Sequence, residues 1–229
     1  MYPKKLSKSD LIGLGFNKKE VELIGRLNTP AKIQDFISEM QVNFEYNGDT
    51  NMSPLTVLRK KTCHCMEGAL LGAFLLSLIG FKPLVVDMRG TKEDWDHVIA
   101  VFNIEGYWGA ISKTNHSVLR YREPVYTSIR ELIMSYFNEY TDDKTGKKTL
   151  RDFSVPVDLT MFDSINWISS ADDLFEIPEY LDTVKHFKIL DKKQERNLRV
   201  LEKIELKAGN IRQFLPKVKG KNAAKFKNR

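Results

Sequence analysis

Cysteines and long apolar stretches are scarce in this chain of 229 residues. Its two cysteines, Cys63 and Cys65, are separated by one residue, so a disulfide between them would be badly strained. A disulfide framework is therefore excluded, and a reducing compartment is the expectation. The longest apolar run, from Ala69 to Phe81, is shorter than the roughly 18 residues that a membrane span requires. Because the first sixteen residues also lack an apolar stretch of signal-peptide length, we expect a cytoplasmic protein with no membrane partner.

An excess of one charge sign is missing from most of the chain. The formal net charge is +6 and the isoelectric point is near 9.1, a balance typical of proteins that bind nucleic acid or anionic membranes. Nine basic residues and one acidic residue, however, lie between Lys203 and Arg229, which leaves 27 basic and 29 acidic residues elsewhere. Only Phe214 and Phe226 place aromatic rings in this basic tail. A solubilising, disordered end is therefore favoured over a nucleic-acid contact.

The composition is that of a globular protein, with 42% hydrophobic and 29% charged residues. It excludes a collagen-like chain, a coiled coil and a chain disordered throughout, and the length suits one sizeable domain with or without an appendage. Apolar spacing and turn residues predict helices at 11–27, 29–40, 53–61 and 65–79, strands at 83–88, 97–104 and 107–112, and further helices at 126–140 and 180–206. Helices thus precede strands in the body of the chain.

Cys65 stands at the start of the predicted apolar helix, which Gly80 follows. The unpaired N–H groups and the dipole of a helix N-terminus favour a thiolate, the form of cysteine that acts as a nucleophile. The backbone N–H of such a cysteine can also contribute to an oxyanion hole. His97 opens a predicted strand 32 positions later, where it could act as the base for Cys65.

Five short strings of this chain, taken in order, resemble the transglutaminase-like core of the papain-like cysteine enzymes. They are Val57-Leu58-Arg59, Cys65-Met66-Glu67-Gly68-Ala69, Leu78-Ile79-Gly80-Phe81-Lys82-Pro83, Asp96-His97-Val98 and Tyr107-Trp108-Gly109-Ala110-Ile111. The resemblance covers roughly residues 29–112 and extends to about 156. It implies an α+β fold, in which N-terminal helices and the cysteine-bearing helix pack on a small antiparallel sheet.

The resemblance also implies a domain organisation and a chemistry. We expect a transglutaminase-like domain at residues 20–160, a helical extension at 161–206 and a basic, disordered tail at 207–229. Cys65 would attack the carbonyl of a peptide or protein amide, His97 would move the proton, and the acyl group would pass to water or to an amine. This chemistry needs no metal and no organic cofactor.

The third catalytic residue departs from the family pattern. The family places an acidic residue four positions after the Trp, and here that position is Ser112. Papain-like relatives use an asparagine in this role, and an amide oxygen can accept the imidazole N–H, so Asn115 is the predicted partner of His97. Asp96 should point away from His97 in an extended strand, although it could line the cleft if the strand begins at His97.

Other interpretations remain open at this level. A single cysteine at the head of an apolar helix is often a buried hydrophobic residue, and Cys63-His64-Cys65 could suggest a metal site, although three such close positions cannot easily surround one ion. His64 and His116 are expected to be solvated or at the edge of the cleft. Because Ser112 replaces an acid, the alternative function is a catalytically silent domain that binds proteins or peptides.

Overall fold

Along the described residues, five helices precede the strands of the main sheet, a sixth lies among them, and the last three interrupt or follow its final strands. The computed structural model describes residues 6–216. The helices are α1 (Lys8–Gly13), α2 (Lys18–Arg26), α3 (Pro30–Glu39), α4 (Pro54–Lys60), α5 (Cys65–Leu78), α6 (Ile129–Met134), α7 (Glu176–Thr183), α8 (Lys192–Arg196) and α9 (Lys203–Gly209). The strands are β1 (Gln41–Val42), β2 (Thr62–Cys63), β3 (Leu84–Arg89), β4 (His97–Ile104), β5 (Tyr107–Ile111), β6 (Arg122–Tyr126), β7 (Asp152–Ser154), β8 (Val157–Asp158) and β9 (His186–Lys188), and a 3-10 helix spans Leu159–Ile165.

Seven strands form one antiparallel sheet in the order β6-β5-β4-β3-β7-β9, with β8 also paired to β3. The short strands β1 and β2 pair in parallel as a separate ribbon. The protein is therefore a mixed α+β structure, as the sequence predicted. In the part of the chain that the structure describes, no helix has the length and apolar character needed to cross a membrane.

Helix α5 lies between the N-terminal helices and the sheet. Its residues are apolar on every side because neighbours cover it all round, and most of its side chains are buried. Gly72 lets the helix approach the sheet closely, since a Cβ there would lie 3.1 Å from Ile111 Cγ2 and 3.3 Å from Ala100 Cβ. Close packing against β4 and β5 fixes where the first residue of α5 can lie.

Strand β4 contributes alternate residues to two cores. Val98, Ala100 and Phe102 face α5 and the N-terminal helices, whereas Ile99 and Val101 face the core that includes α6. This alternation is the period of two that an extended strand imposes. Since His97 is the first residue of β4, this packing also sets the position of its ring.

The predicted helices at 29–40, 53–61 and 65–79 and the three predicted strands are confirmed within one or two residues. The first predicted helix is divided into α1 and α2, because Gly15 adopts a φ of +93° and Asn17 caps a new helix. The helix predicted at 126–140 is shorter, since α6 spans only Ile129–Met134.

The long helix predicted at 180–206 was wrong. Helix α7 ends at Thr183, β9 then pairs with β7, and Asp191 caps the short helix α8. Phe187 in β9 packs against Phe153 in β7, with ring centroids 5.7 Å apart. Pairing with the sheet edge has outweighed the helical preference of this charged segment.

The expectation of a disordered tail at 207–229 was wrong for residues 207–216. Ser117 N–H donates to Ile211 O at 2.9 Å, and Gln213 N–H donates to Asn115 O at 2.8 Å. These residues therefore pack along the loop that follows β5. Residues 217–229 lie outside the described part of the chain.

Candidate active site

A cleft of about 610 Å³ opens beside the N-terminus of α5. Cys65, from the first turn of this helix, and His97, from the start of β4, both line it. The structure thus brings together the two residues that the sequence predicted as nucleophile and base. The remaining walls come from the β1–α4 loop, the loop before β4, the loop after β5, and helices α7 and α9.

The Cys65 thiol is partly exposed and lies 3.9 Å from the carbonyl oxygen of Asp96. Burial raises the pKa of this thiol, but side-chain hydrogen bonds with His64 and His97 outweigh that effect and hold the pKa well below its ordinary value. The positive charge that these rings can hold acts in the same direction. A thiol at a helix N-terminus with two imidazoles is chemically poised as a nucleophile.

His97 is 8% exposed, and its Nε2 lies 2.8 Å from the hydroxyl oxygen of Ser112. The same hydroxyl donates to the backbone carbonyl of Leu119 at 2.5 Å. A carbonyl can only accept, so the Ser112 proton is committed to Leu119 and the hydroxyl must accept from His97 Nε2–H. This fixes the tautomer of neutral His97 and leaves Nδ1 with the lone pair.

Gln34 of α3 holds Ser112 in place. Ser112 N–H donates to Gln34 Oε1 at 2.9 Å, and Gln34 Nε2 donates to Ser112 O at 2.9 Å. Both residues are buried, so the two bonds replace water on a polar backbone segment. Gln34 was not among the residues found from the sequence, because nothing local connects α3 with a residue 78 positions later.

Asn115 does not occupy the place predicted for it. Its Nδ2 donates to Phe214 O at 2.8 Å, and its Oδ1 accepts from Phe214 N–H at 2.8 Å. The amide is therefore committed to the backbone of the C-terminal segment, and Ser112 is the residue behind His97. Asp96 precedes the first residue of β4 and lines the cleft, with its Oδ1 accepting from Gly90 N–H at 3.2 Å.

His64 and Glu67 form a buried polar network on the other side of Cys65. Glu67 is fully buried and accepts from Thr50 Oγ1 at 2.8 Å, from His64 N–H at 3.0 Å and from Met52 N–H at 3.2 Å. Asn43 Nδ2 also donates to both of its oxygens. The signal available in the sequence was one acidic residue inside an apolar helix, three positions after a histidine.

His64 lines the cleft, and its ring is tied into this network. Its Nε2 lies 2.9 Å from Thr50 O, 3.5 Å from Glu67 Oε1 and 3.8 Å from Glu45 Oε1. Burial alone would lower the pKa of this imidazole, but the hydrogen bond with Cys65 and the attraction of Glu67 raise it to about 9. His116 lies in the wall of the cleft, where its Nδ1 is 3.1 Å from Gly209 O.

Lys113 is a second buried charge that the sequence did not indicate. It is 2% exposed, its Nζ donates to the carbonyls of Ile37 and Met40, and the ring centroid of Phe214 lies 5.1 Å from Nζ. Burial lowers its pKa to about 8. Its ammonium therefore joins the C-terminal end of α3 to the C-terminal segment.

Asp87 and His186 form a buried pair that ties β9 to β3, with His186 Nε2 3.1 Å from Asp87 Oδ2. Burial raises the pKa of Asp87 to about 6, although the hydrogen bond with His186 opposes this shift. The pair lies at the back of the cleft, since Asp87 is one of its lining residues.

The cleft is rich in carboxylates. Eight acidic residues line it: Glu45, Asp49, Asp87, Asp94, Asp96, Glu139, Asp143 and Asp182. Within the described chain, Lys113 is the only lysine among the lining residues and no arginine lines the cleft directly. Arg122 and Arg212 pair with Glu139 and Asp143 from behind. Burial and then the neighbouring Asp182 raise the pKa of Asp96, which is consistent with a negative wall near Cys65.

Metal ligation was a further possibility for Cys63-His64-Cys65. Within residues 6–216, no group of three His, Cys, Asp or Glu side chains is arranged to hold a metal ion. Cys63 is fully buried, and its Sγ lies 3.9 Å from Met40 Sδ. Burial raises the pKa of its thiol to about 12, so Cys63 is the unreactive cysteine of the two.

Comparison with models of known protein families and with curated proteins gives no match to this chain.

Proposed function

We propose that this protein is a cysteine-dependent enzyme that cleaves or exchanges an amide bond by acyl transfer, on a papain-like, transglutaminase-like core. The observation that supports it most strongly is that Cys65, at the N-terminus of α5, and His97 line one cleft, with the His97 Nε2 held 2.8 Å from the Ser112 hydroxyl. Nucleophile, base and orienting residue in that order are the parts of a triad. A hydroxyl replaces the usual carboxylate or amide.

The chemical steps follow from these groups. The Cys65 sulfur adds to the carbonyl carbon of the amide, and the carbonyl electron pair moves to oxygen, near the first N–H groups of α5. When the tetrahedral intermediate collapses, the C–N bond breaks and an imidazolium protonates the leaving nitrogen. His97 then removes a proton from water or an amine as it attacks the thioester, and the Cys65 thiolate leaves.

The cleft favours a basic substrate. Asp96 and Asp182 are exposed and both line its wall. Trp95, 62% exposed at the same edge, offers an aromatic face to a cation. We therefore propose a peptide or protein amide flanked by a lysine or arginine as the substrate, because like charges would repel an acidic one.

The test is the reactivity of Cys65. Iodoacetamide alkylation across pH 4–10 should give a thiol pKa well below the ordinary ~8.5, and an activated ester should acylate Cys65, as intact mass and peptide mapping can show. The matched variants are C65S, which should lose both reactions, and C63S, which should keep them. An ordinary thiol pKa and no acyl-enzyme would overturn the proposal in favour of a catalytically silent binding domain.

A further inference from the structure

Two histidines contact Cys65, and they have different partners. His97 is backed by the neutral hydroxyl of Ser112. His64 is backed by the carbonyl of Thr50 and two carboxylates, those of Glu67 and Glu45. A carboxylate stabilises an imidazolium far more than a hydroxyl does. The thiol proton of Cys65 is therefore held more favourably by His64 than by His97.

The protonation of His64 can be followed atom by atom. Its Nε2 is 2.9 Å from Thr50 O, and because a carbonyl can only accept, Nε2 carries a proton. The side-chain hydrogen bond with Cys65 then falls to Nδ1. If Nδ1 also holds a proton, the ring is a cation that donates to a thiolate. If it does not, the ring accepts from a neutral thiol.

The charge of Glu67 favours the first of these two states, in which the His64 ring is a cation. It is fully buried, it is held by four donors, and its Oε1 is 3.5 Å from His64 Nε2. Because Glu67 is buried, the charge of its carboxylate acts on the ring with little screening by water. Glu45, at 3.8 Å, adds to the same field.

We propose that His64, supported by Glu67, is the cationic partner that holds Cys65 as a thiolate, and that His97, backed by the Ser112 hydroxyl, is the base that activates the acyl acceptor. This assignment rests on the proposed function of the site. It makes His64 a catalytic residue, because it contacts the reacting sulfur, and Glu67 a positioning residue that acts through it. The groups that act on the thiol from its surroundings are His64, His97 and the carbonyl of Asp96, together with the titratable side chains of Cys63 and Tyr140.

The protons balance over one turnover. In the resting site the S–H bond of Cys65 is broken and its proton is on His64 Nδ1. The thiolate forms the C–S bond of a thioester as the amide C–N bond breaks, and the leaving nitrogen takes the proton from His64. His97 Nδ1 then takes a proton from the attacking water or amine, the C–S bond breaks to return the thiolate, and the proton passes from His97 to His64.

The test separates the two imidazoles by measuring the Cys65 thiol pKa in H64Q and H97Q, with H116Q as a control at another cleft histidine. In H64Q the amide can still donate to Thr50 O but cannot hold the proton. We expect its thiol pKa to return to about 8.5, so that iodoacetamide alkylation at pH 6 falls about 100-fold. In H97Q the thiol pKa should stay low, and acyl-enzyme should accumulate because its turnover is slow.

A low thiol pKa in H64Q together with a raised pKa in H97Q would reverse the roles and overturn this inference, while the proposed function would stand. An ordinary thiol pKa in the wild-type protein would instead overturn the proposed function itself. A second measurement needs no variant: ring-nitrogen NMR of the wild-type protein should show His64 doubly protonated at pH 7.5. A singly protonated His64 ring at that pH would contradict the assignment. The E67Q variant leaves Cys65 itself in place and should raise its thiol pKa by a unit or more. An unchanged thiol pKa would show that Glu67 does not support His64.

Discussion

His97 Nε2 and the Ser112 hydroxyl are joined at 2.8 Å in a bond whose direction is fixed, because the hydroxyl proton already binds Leu119 O. A serine that could rotate freely would orient an imidazole only weakly. Here the hydroxyl donates to the carbonyl of Leu119, and Gln34 hydrogen-bonds to the backbone N–H and carbonyl of Ser112. These bonds leave Ser112 one arrangement, in which its hydroxyl accepts from His97. Fixed geometry thus compensates in part for the missing charge of an acidic residue.

Replacing Ser112 should slow the reaction more than it destabilises the fold. S112A removes the acceptor for His97, frees its tautomer and leaves the Leu119 carbonyl without this donor. We expect acyl-enzyme turnover to fall about 10- to 100-fold, the size of loss typical of a group that orients another, and unfolding free energy to fall by about 1–2 kcal/mol.

The control for S112A is S112T, which keeps the hydroxyl. It should retain most of the activity if the added methyl group is accommodated. Stopped-flow measurement of turnover with an activated ester, alongside urea unfolding, gives both quantities. Equal turnover in S112A and the wild-type protein would show that this hydroxyl does not position the base.

Asn115 should affect the C-terminal segment and not the chemistry. N115A removes both hydrogen bonds to the Phe214 backbone. Hydrogen exchange at residues 210–216 should therefore become faster, while the Cys65 alkylation rate at pH 6 should change by less than about threefold, since no charge near the thiol is altered. A large loss of Cys65 reactivity with unchanged exchange would restore the role that the sequence predicted for Asn115.

Cys65 and His97 could be singled out from the sequence as a candidate nucleophile and base because both follow from local patterns. Cys65 begins an apolar run that can only be a buried helix, and His97 begins a β-branched strand that follows soon after in the chain. The order of these elements suffices to place them together once the sheet packs on α5. The position after β5 could be predicted only as a choice between Ser112 and Asn115.

The wrong expectations have nonlocal causes. The side-chain amide of Asn115 hydrogen-bonds to the backbone of Phe214, which is 99 residues away, and β9 is formed by pairing with β7. Neither pairing has a signature in the residues involved. Glu67, by contrast, could have been singled out from the sequence, because an acid inside an apolar helix has to be satisfied by partners when it is buried.

Gly68 should be intolerant of even one methyl group. A Cβ at this position of α5 would lie 2.4 Å from Lys113 Cβ, too close for both to remain in place. We expect G68A to lower the unfolding free energy by about 1–3 kcal/mol and to displace Lys113 or the first turn of α5, which carries Cys65. The reactivity of Cys65 should fall with it.

The matched control for G68A is G25A in α2. Nothing lies within 4 Å of a Cβ built at Gly25, so alanine should be neutral there or raise stability by up to about 1 kcal/mol. Thermal or urea unfolding of both variants makes the comparison. Equal unfolding free energies for G68A and G25A would mean that the Lys113 side chain can move aside without loss of stability.

Lys113 should give the protein a stability that rises with pH on the alkaline side. Burial lowers its pKa in the folded protein from an ordinary 10.5 to about 8. Between these two values the unfolded chain binds the proton and the folded protein does not, so unfolding free energy increases with pH over this window. Below pH 8 both states hold the proton, and the cost of burying the ammonium is present in full.

K113M isolates this effect, because methionine retains an apolar stem and has no proton to lose. The unfolding free energy of the wild-type protein relative to K113M should rise by about 3 kcal/mol from pH 7.5 to pH 10.5, since each unit of pKa shift corresponds to about 1.4 kcal/mol. The Cys63 thiol, with a pKa raised to about 12 by burial, remains protonated in the folded protein over this range. Urea unfolding of both proteins at four or five pH values measures the difference. A difference that stays constant or falls with pH would show that the Lys113 ammonium is stabilised by its carbonyl ligands as fully as water would stabilise it.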